Sequence, residues 1–319
     1  MGALQVTALN DTLASGVRIE GLTMDLLQRA VVHEQINRLF QKHGLLVFTG
    51  VEPSSDIHLA LSLVFGPLKE HPSASTPRVD AQRLPGVIDM AYRPGSGGQV
   101  KLAGRPLAQW LPWHFDHCYN DELNRGGVLR ALQVPPGGGE TGFVDGVELY
   151  KRLPMTLRRA IEGERILYSL DVDLDKLRFG RPAQLVETVR KPGAAQVAED
   201  ARRMPRAMHP AVWVRPSGEK VLHVSPWMAL GIAGRENVEG DALLESVCRH
   251  TNDAAQSCSY FHRWQLDDML VWDNWRYLHA VSGSDPAHPR HMQRTTIQGD
   301  YGLGCFEHDH SGDALEMTV

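Results

Sequence analysis

The segment WLPWHFDHCYN (110–120) places His114 and Asp116 two residues apart. On an extended strand such positions share a face, so an imidazole and a carboxylate could grip one ion. The pairing alone is weak, because a chain of 319 residues with 15 His yields about one His-x-Asp by chance. A second segment, MLVWDNWRYLHAVSGSDPAHPRHMQRTTIQGD (269–300), brings His279, Arg290 and Arg294. Two His and one carboxylate fill three corners of an octahedral ion and leave the opposite face open, which is the facial triad of non-haem Fe(II) oxygenases. Open corners are what a 2-oxo acid and dioxygen require. An arginine nearby would clamp the far carboxylate of such a co-substrate through its forked donors.

Composition points the same way. Fifteen His stand against four Cys, at 118, 248, 258 and 305. The Cys form no CxxC pair, which argues against a zinc ribbon and a disulfide framework. A net charge of -5, from 33 basic and 38 acidic residues, offers no footprint for general nucleic-acid binding. No apolar run is long enough to span a membrane. The start MGALQVTALNDTL lacks the regions of a secretory signal, and Val6 breaks the myristoylation pattern. The expectation is a soluble, cytoplasmic protein with a small-molecule substrate and neither nucleic acid nor membrane as partner.

The elements that must position these residues read as mainly β with flanking helices. From Asp25 the residues Leu26, Leu27, Ala30, Val31, Leu39 and Phe40 share a helical face, and Gly44 would stop that helix. LLVF (45–48) reads as a buried strand. Ser54 or Ser55 would cap a second helix running to Phe65. Further strands are expected at 127–134, 164–170, 211–215, 220–225, 259–264, 269–272 and 292–299. Two helices interrupt them, Val147 to Glu162 and about Glu239 to Asn252. This order favours a curled antiparallel sheet over a doubly wound one. Two stretches read as lid-like insertions in one domain covering residues 1–319. Residues 71–112 are loop-rich by their Pro and Gly content, and residues 171–210 are charged and carry Pro.

At this point the chain resembles a known family. HFD at 114–116, WDN…H at 272–279 and the arginines at 290 and 294 are similar to the Fe(II)/2-oxoglutarate-dependent dioxygenases of the TauD/TfdA family. GVRIEGLTMD (16–25), HGLLVFTGV (43–51) and FGPLKEHP (65–72) extend the likeness almost end to end. The resemblance implies a double-stranded β-helix, or jelly roll, and a dioxygenase that uses Fe(II), 2-oxoglutarate and O2. It implies His114, Asp116 and His279 as catalytic metal ligands. It also implies Thr141, 27 residues after His114, and Arg290, eleven after His279, as holders of the 2-oxoglutarate tail. Arg294, fifteen after His279, would lie by the substrate or co-substrate, and His71 by the substrate. Family members are often dimers or tetramers, so a homo-oligomer is expected.

The pattern departs from taurine dioxygenase at Ala74, where a tyrosine is expected, and at Trp110, where an asparagine is expected. Taurine is therefore disfavoured, and Trp110 with Trp113 reads as an aromatic wall for a larger, partly apolar and anionic substrate. The intact Asp116 disfavours halogenation. His117 points away from the face of His114 by strand parity, His308 and His310 read as solvated tail residues, and Asp273 and Asn274 as a turn. The alternative is a zinc hydrolase using the same three ligands, which would have no use for Arg290 and Thr141. A non-catalytic jelly-roll binding protein would not need the triad at all.

Overall fold

A computed structural model describes residues 4–10, 13–69, 78–80, 82–84 and 86–307. His71, Ala74 and the 308–310 histidines lie outside the described residues. The chain opens with β1 (Gln5–Ala8), β2 (Val17–Glu20), α1 (Met24–Leu27), α2 (Ala30–His43), β3 (Leu45–Thr49), α3 (Ser55–Leu63) and β4 (Ile88–Tyr92). It continues through β5 (Gln99–Leu102), β6 (Arg105–Ala108), β7 (Leu111–His114), β8 (Gly126–Gln133), β9 (Thr141–Asp145), α4 (Gly146–Arg152) and α5 (Met155–Ile161). Next come β10 (Arg165–Tyr168), β11 (Leu185–Val189), α6 (Ala194–Ala201), β12 (Ala207–Pro210), β13 (Val212–Val214), β14 (Lys220–Leu222) and β15 (Ala229–Ile232). The last elements are α7 (Val238–Cys258), β16 (Ser259–His262), β17 (Met269–Asp273), β18 (Tyr277–Val281), β19 (Arg290–Ile297) and β20 (Cys305–Phe306).

Two sheets carry the architecture. The major one has seven strands in the order β1-β2-β3-β17-β8-β19-β4, and the minor one has four in the order β16-β9-β18-β7. Every pairing is antiparallel except β2 with β3. Beyond β1-β2-β3, strands adjacent in these two sheets are distant in sequence, as in a jelly roll. Leu45, Val47, Leu129, Leu270, Trp272 and Met292 of the major sheet interlock with Phe143 and Tyr277 of the minor one. The outer face of the major sheet buries Ile19, Leu46, Phe48 and Val271 beneath Ile36 and Phe40 of α2 and Ile57 and Leu61 of α3. The outer face of the minor sheet packs against Leu149 of α4 and Leu244 and Val247 of α7. The run LLVF is apolar throughout because β3 is covered on both faces.

The helix signals in the first third are good to a turn. Gly44 ends α2 in the left-handed region, its N–H reaching the Phe40 carbonyl, as a helix C-cap glycine does. Ser54 caps α3 by accepting from the Asp56 N–H. The expected first helix is instead two, broken at Gln28 and Arg29, and the break turns Val31 out to solvent. Pro154 likewise separates α4 from α5, since it has no N–H to continue a helix. Helix α7 runs on to Cys258, six residues beyond the expected end, and α6 was not anticipated.

The loop-rich stretch 71–112 also carries strands that its composition did not indicate. Its described part contains β4, β5 and β6, and the Gly and Pro residues punctuate strands there. Ala103 and Gly104 both take positive φ, 48° and 81°, forming the tight two-residue turn that hairpins prefer. Pro106 is tolerated because β6 is the edge strand of its sheet, where β5 is its one neighbouring strand. The β5–β6 hairpin also pairs with β11, from the 171–210 stretch, in a separate three-stranded sheet. The two insertions are thus hydrogen-bonded to each other. Val100, Leu107, Leu174, Leu177 and Leu185 pack together within this assembly, joined by Trp110 and Trp227.

Candidate active site

The alternation of each strand sets which side chains enter the space between the sheets. On β18, Tyr277 joins the inter-sheet core and Leu278 the outer core, so His279 faces inward. His114 stands directly opposite His279 in the β7–β18 register, with ring centroids 4.0 Å apart. Trp113, its neighbour, is therefore turned to the other face. It lies edge-on to Phe261 at 5.7 Å and in the outer core. Trp113 is a core residue and forms no part of a substrate wall.

Asp116 reaches the same place by another route. Strand β7 ends at His114, and Asp116 opens a turn, so the pleat does not aim its carboxylate. Asn274 does. Its Oδ1 accepts the Asp116 N–H at 2.8 Å, while Nδ2 donates to the Asp116 carbonyl at 3.1 Å and to Asn124 Oδ1 at 3.1 Å. Asp273 and Asn274 do form a turn, but Asn274 also clamps the backbone of Asp116. One sequence-distant side chain fixes the angle between strand and carboxylate.

His114, Asp116 and His279 are all buried and bring their ligand atoms within 4.8 Å of one another. The His114 Nδ1–H donates to the Pro112 carbonyl at 2.8 Å, which fixes the tautomer and leaves Nε2 as the lone-pair nitrogen. His279 Nε2 lies 3.6 Å from Asp116 Oδ1. Burial holds both imidazoles below their ordinary pKa, so they are neutral, as metal coordination demands. Burial pushes the Asp116 carboxyl up, but the Arg294 guanidinium beside it more than offsets this and holds it well below the usual carboxylate range. Two neutral nitrogens and one carboxylate oxygen fit a divalent iron.

Arg290 and Arg294, four residues apart on β19 in the facing sheet, approach from the other side. Arg294 Nη2 donates to Asp116 Oδ2 at 2.5 Å, leaving Oδ1 turned toward His279. Arg290 is 4% exposed, and burial lowers its pKa to about 10, which still leaves it charged at neutral pH. Among the described residues no carboxylate pairs with it. Thr141, 1% exposed, begins β9. Its Oγ1 accepts from the Trp264 indole N–H at 3.1 Å, which leaves the hydroxyl proton free to donate.

Trp110 is half-buried in the apolar cluster of the three-stranded sheet. Trp227, of the same cluster, sets its ring edge-on to His114 at 4.9 Å. Sequence reasoning passed over Trp227, and its only signal was an aromatic after Ser225-Pro226 ahead of a strand. Trp264 and Asn274 were also missed as partners of site residues. The remaining buried histidines are structural. His209 bridges Tyr301 and Asn120, and His223 bonds the Asn274 carbonyl and stacks on Phe115. The four Cys are free thiols, and among the described residues no helix is long and apolar enough to cross a membrane.

Two histidines and a carboxylate with the rest of the coordination sphere open define the class of non-haem iron oxygenases. Residues 8–296 match the family described as "Taurine catabolism dioxygenase TauD, TfdA family", and the chain belongs to that family. It is a 2-oxoglutarate-dependent dioxygenase that uses Fe(II), 2-oxoglutarate and O2. Over 276 residues it is 29% identical to the alpha-ketoglutarate-dependent 2,4-dichlorophenoxyacetate dioxygenase of Cupriavidus pinatubonensis, covering 83% of this chain and 88% of that one. It is 24% identical to the alpha-ketoglutarate-dependent sulfate ester dioxygenase of Pseudomonas putida, covering 91% and 88%. The fold is similar to that of AAD-2 in complex with Mn(II) and N-oxalylglycine, with a TM-score of 0.67, 22% identity and coverage of 93% and 98%. It is likewise similar to a taurine dioxygenase from Burkholderia xenovorans, with a TM-score of 0.65, 22% identity and coverage of 94% and 92%.

Proposed function

We propose that His114, Asp116 and His279 hold the iron, and that Arg290 and Thr141 receive the distal carboxylate of 2-oxoglutarate. The observation that carries this reading is the buried Arg290 guanidinium, which has no carboxylate partner among the described residues. A buried, uncompensated charge costs several kcal/mol, so its retention calls for an anionic ligand. A hydrolytic zinc site would leave that charge without use. When bound, the iron and 2-oxoglutarate supply the oxidising chemistry, releasing succinate and CO2. The protein's part is position and exclusion of water. Asn274 orients Asp116, Pro112 fixes the His114 tautomer, and Arg294 holds the carboxylate oxygen turned from His279.

The substrate we infer is a small organic anion with an aromatic or apolar body, hydroxylated and in some cases cleaved at the attacked carbon. Trp227 offers apolar surface beside His114, Trp110 belongs to the same apolar cluster as Trp227, and Arg294 supplies the nearby positive charge. The two insertions, within a single dioxygenase domain, act as a lid over this space. Relatives named for 2,4-dichlorophenoxyacetate, phenoxypropionate and sulfate esters accord with such a substrate. The test is succinate release across a panel of aryloxy acids, alkyl sulfates, sulfonates and cationic amines, with Asp116→Ala as blank. An aryloxy acid or alkyl sulfate should accelerate release most, and a best response from a cationic amine would overturn the substrate reading. In the same assay series Arg290→Ala should weaken 2-oxoglutarate binding on the order of 100-fold, the worth of a charge-assisted bidentate pair. Unchanged binding would remove Arg290 from the site.

A further inference from the structure

Three turns converge on Arg290. A Cβ at Gly139 would lie 3.2 Å from Arg290 Cδ and Nε, so this turn runs directly against the side chain. The Gly139 N–H donates to the Gly283 carbonyl at 2.8 Å. Ala108, the last residue of β6, exchanges both backbone hydrogen bonds with Ser284, at 2.8 and 3.0 Å. The next residue is Gln109, whose N–H donates to the Gly98 carbonyl at 3.3 Å. Gln109 has φ of +56°, a left-handed conformation that a residue with a Cβ rarely adopts. Its Oε1 accepts from Arg290 Nη1 at 3.4 Å. That is the one hydrogen bond the guanidinium makes among the described residues, and Arg290 Nε has none.

A neutral amide at 3.4 Å is a weak partner for a buried cation, and a carboxylate would be a much stronger one. Backbone held in an uncommon conformation at a ligand-facing position is where stored strain accompanies function. We propose that Gln109 is a positioning residue for the co-substrate. It keeps the Arg290 fork aimed without neutralising it and yields when a carboxylate arrives. Because Gln109 directly follows β6, it also ties occupancy of the 2-oxoglutarate site to the three-stranded sheet formed by the two insertions. The proposal rests on the reading of Arg290 as the carboxylate anchor.

The probe is 2-oxoglutarate, titrated anaerobically into Fe(II)-loaded enzyme and followed by the visible charge-transfer band. N-oxalylglycine in thermal-shift assays gives a second readout. Gln109→Glu puts a near-isosteric carboxylate on Arg290, so 2-oxoglutarate affinity should fall at least about 10-fold while Fe(II) affinity holds. In turnover, KM for 2-oxoglutarate should rise with kcat within about twofold, which general loosening of the fold would not produce. Gln109→Asn, which tolerates positive φ but is one methylene too short to reach Arg290, should weaken 2-oxoglutarate binding severalfold, and wild-type affinity would count against the proposal. If Arg290→Ala weakens binding and Gln109→Glu does not, the Gln109 proposal is overturned alone. If Arg290→Ala leaves binding intact, the reading beneath it falls as well. Should Gln109→Glu fail to fold, Gln109→Gly decides, since it accepts the same φ and removes the side chain. A severalfold loss of 2-oxoglutarate affinity is expected, and wild-type affinity would overturn the proposal.

Discussion

Asn274 touches no ion-binding atom, yet four of its hydrogen bonds end on Asp116 or Asn124. It is fully buried, so truncation leaves several polar groups unsatisfied at once. Asn274→Ala should therefore lower Fe(II) affinity by roughly 10- to 100-fold, the usual effect of losing an outer partner of a ligand. Metal titration of the folded variant checks this, and wild-type affinity would show that the turn needs no clamp. The cluster of His114, Asp116 and His279 was legible in the sequence because the three stand at intervals that form a recognisable pattern. Asn274, Trp227 and Gln109 were not. Each acts on a partner more than a hundred residues away, and no local pattern records such a pairing.

At the scale of elements, α3 is fastened to the major sheet through a buried histidine. His58 Nε2–H donates to the Val128 carbonyl at 3.1 Å, and Ser62 bonds Thr295 at 2.7 Å. Burial pushes the His58 pKa down from 6.5 to about 4. Above pH 6.5 the ring is neutral in both folded and unfolded chains and carries no penalty. As pH falls from 6.5 toward 4 the unfolded chain takes up the proton first, so stability is lost across that window. The loss from this group is at most about 3 kcal/mol. Urea midpoints measured through the window should fall less steeply with acid in His58→Gln, and an unchanged slope would show that His58 does not titrate this way. The helices around it were readable from capping residues and glycine stops, which are local signals. The break at Gln28 and Arg29 was not, because the apolar stripe continues across it, while Arg29 takes extended backbone and the His33 ring bonds the Leu27 carbonyl.

For the molecule as a whole, the strand runs, their lengths and their turn residues were enough to indicate a curled antiparallel architecture. Their partners were not indicated, because sheet order depends on long-range pairing such as β8 between β17 and β19. The strands inside the loop-rich stretch 71–112 were not legible for the same reason. Glycine and proline mark turns and edge strands as readily as they mark loops, and only the pairing of β5 with β11 distinguishes the cases. That pairing has a consequence for how new substrate ranges arise in such an enzyme. Two segments some eighty residues apart share one hydrogen-bonded surface, so neither can be replaced by a relative's counterpart alone. Chimeras carrying only 71–112 or only 171–210 from the 2,4-dichlorophenoxyacetate enzyme should lose stability and succinate release. The double exchange should recover both and carry the donor's selectivity with it, as comparison of thermal midpoints and substrate profiles would establish. Specificity in such a scaffold is then expected to pass between enzymes as a matched pair of segments, and recombination that splits the pair should cost stability.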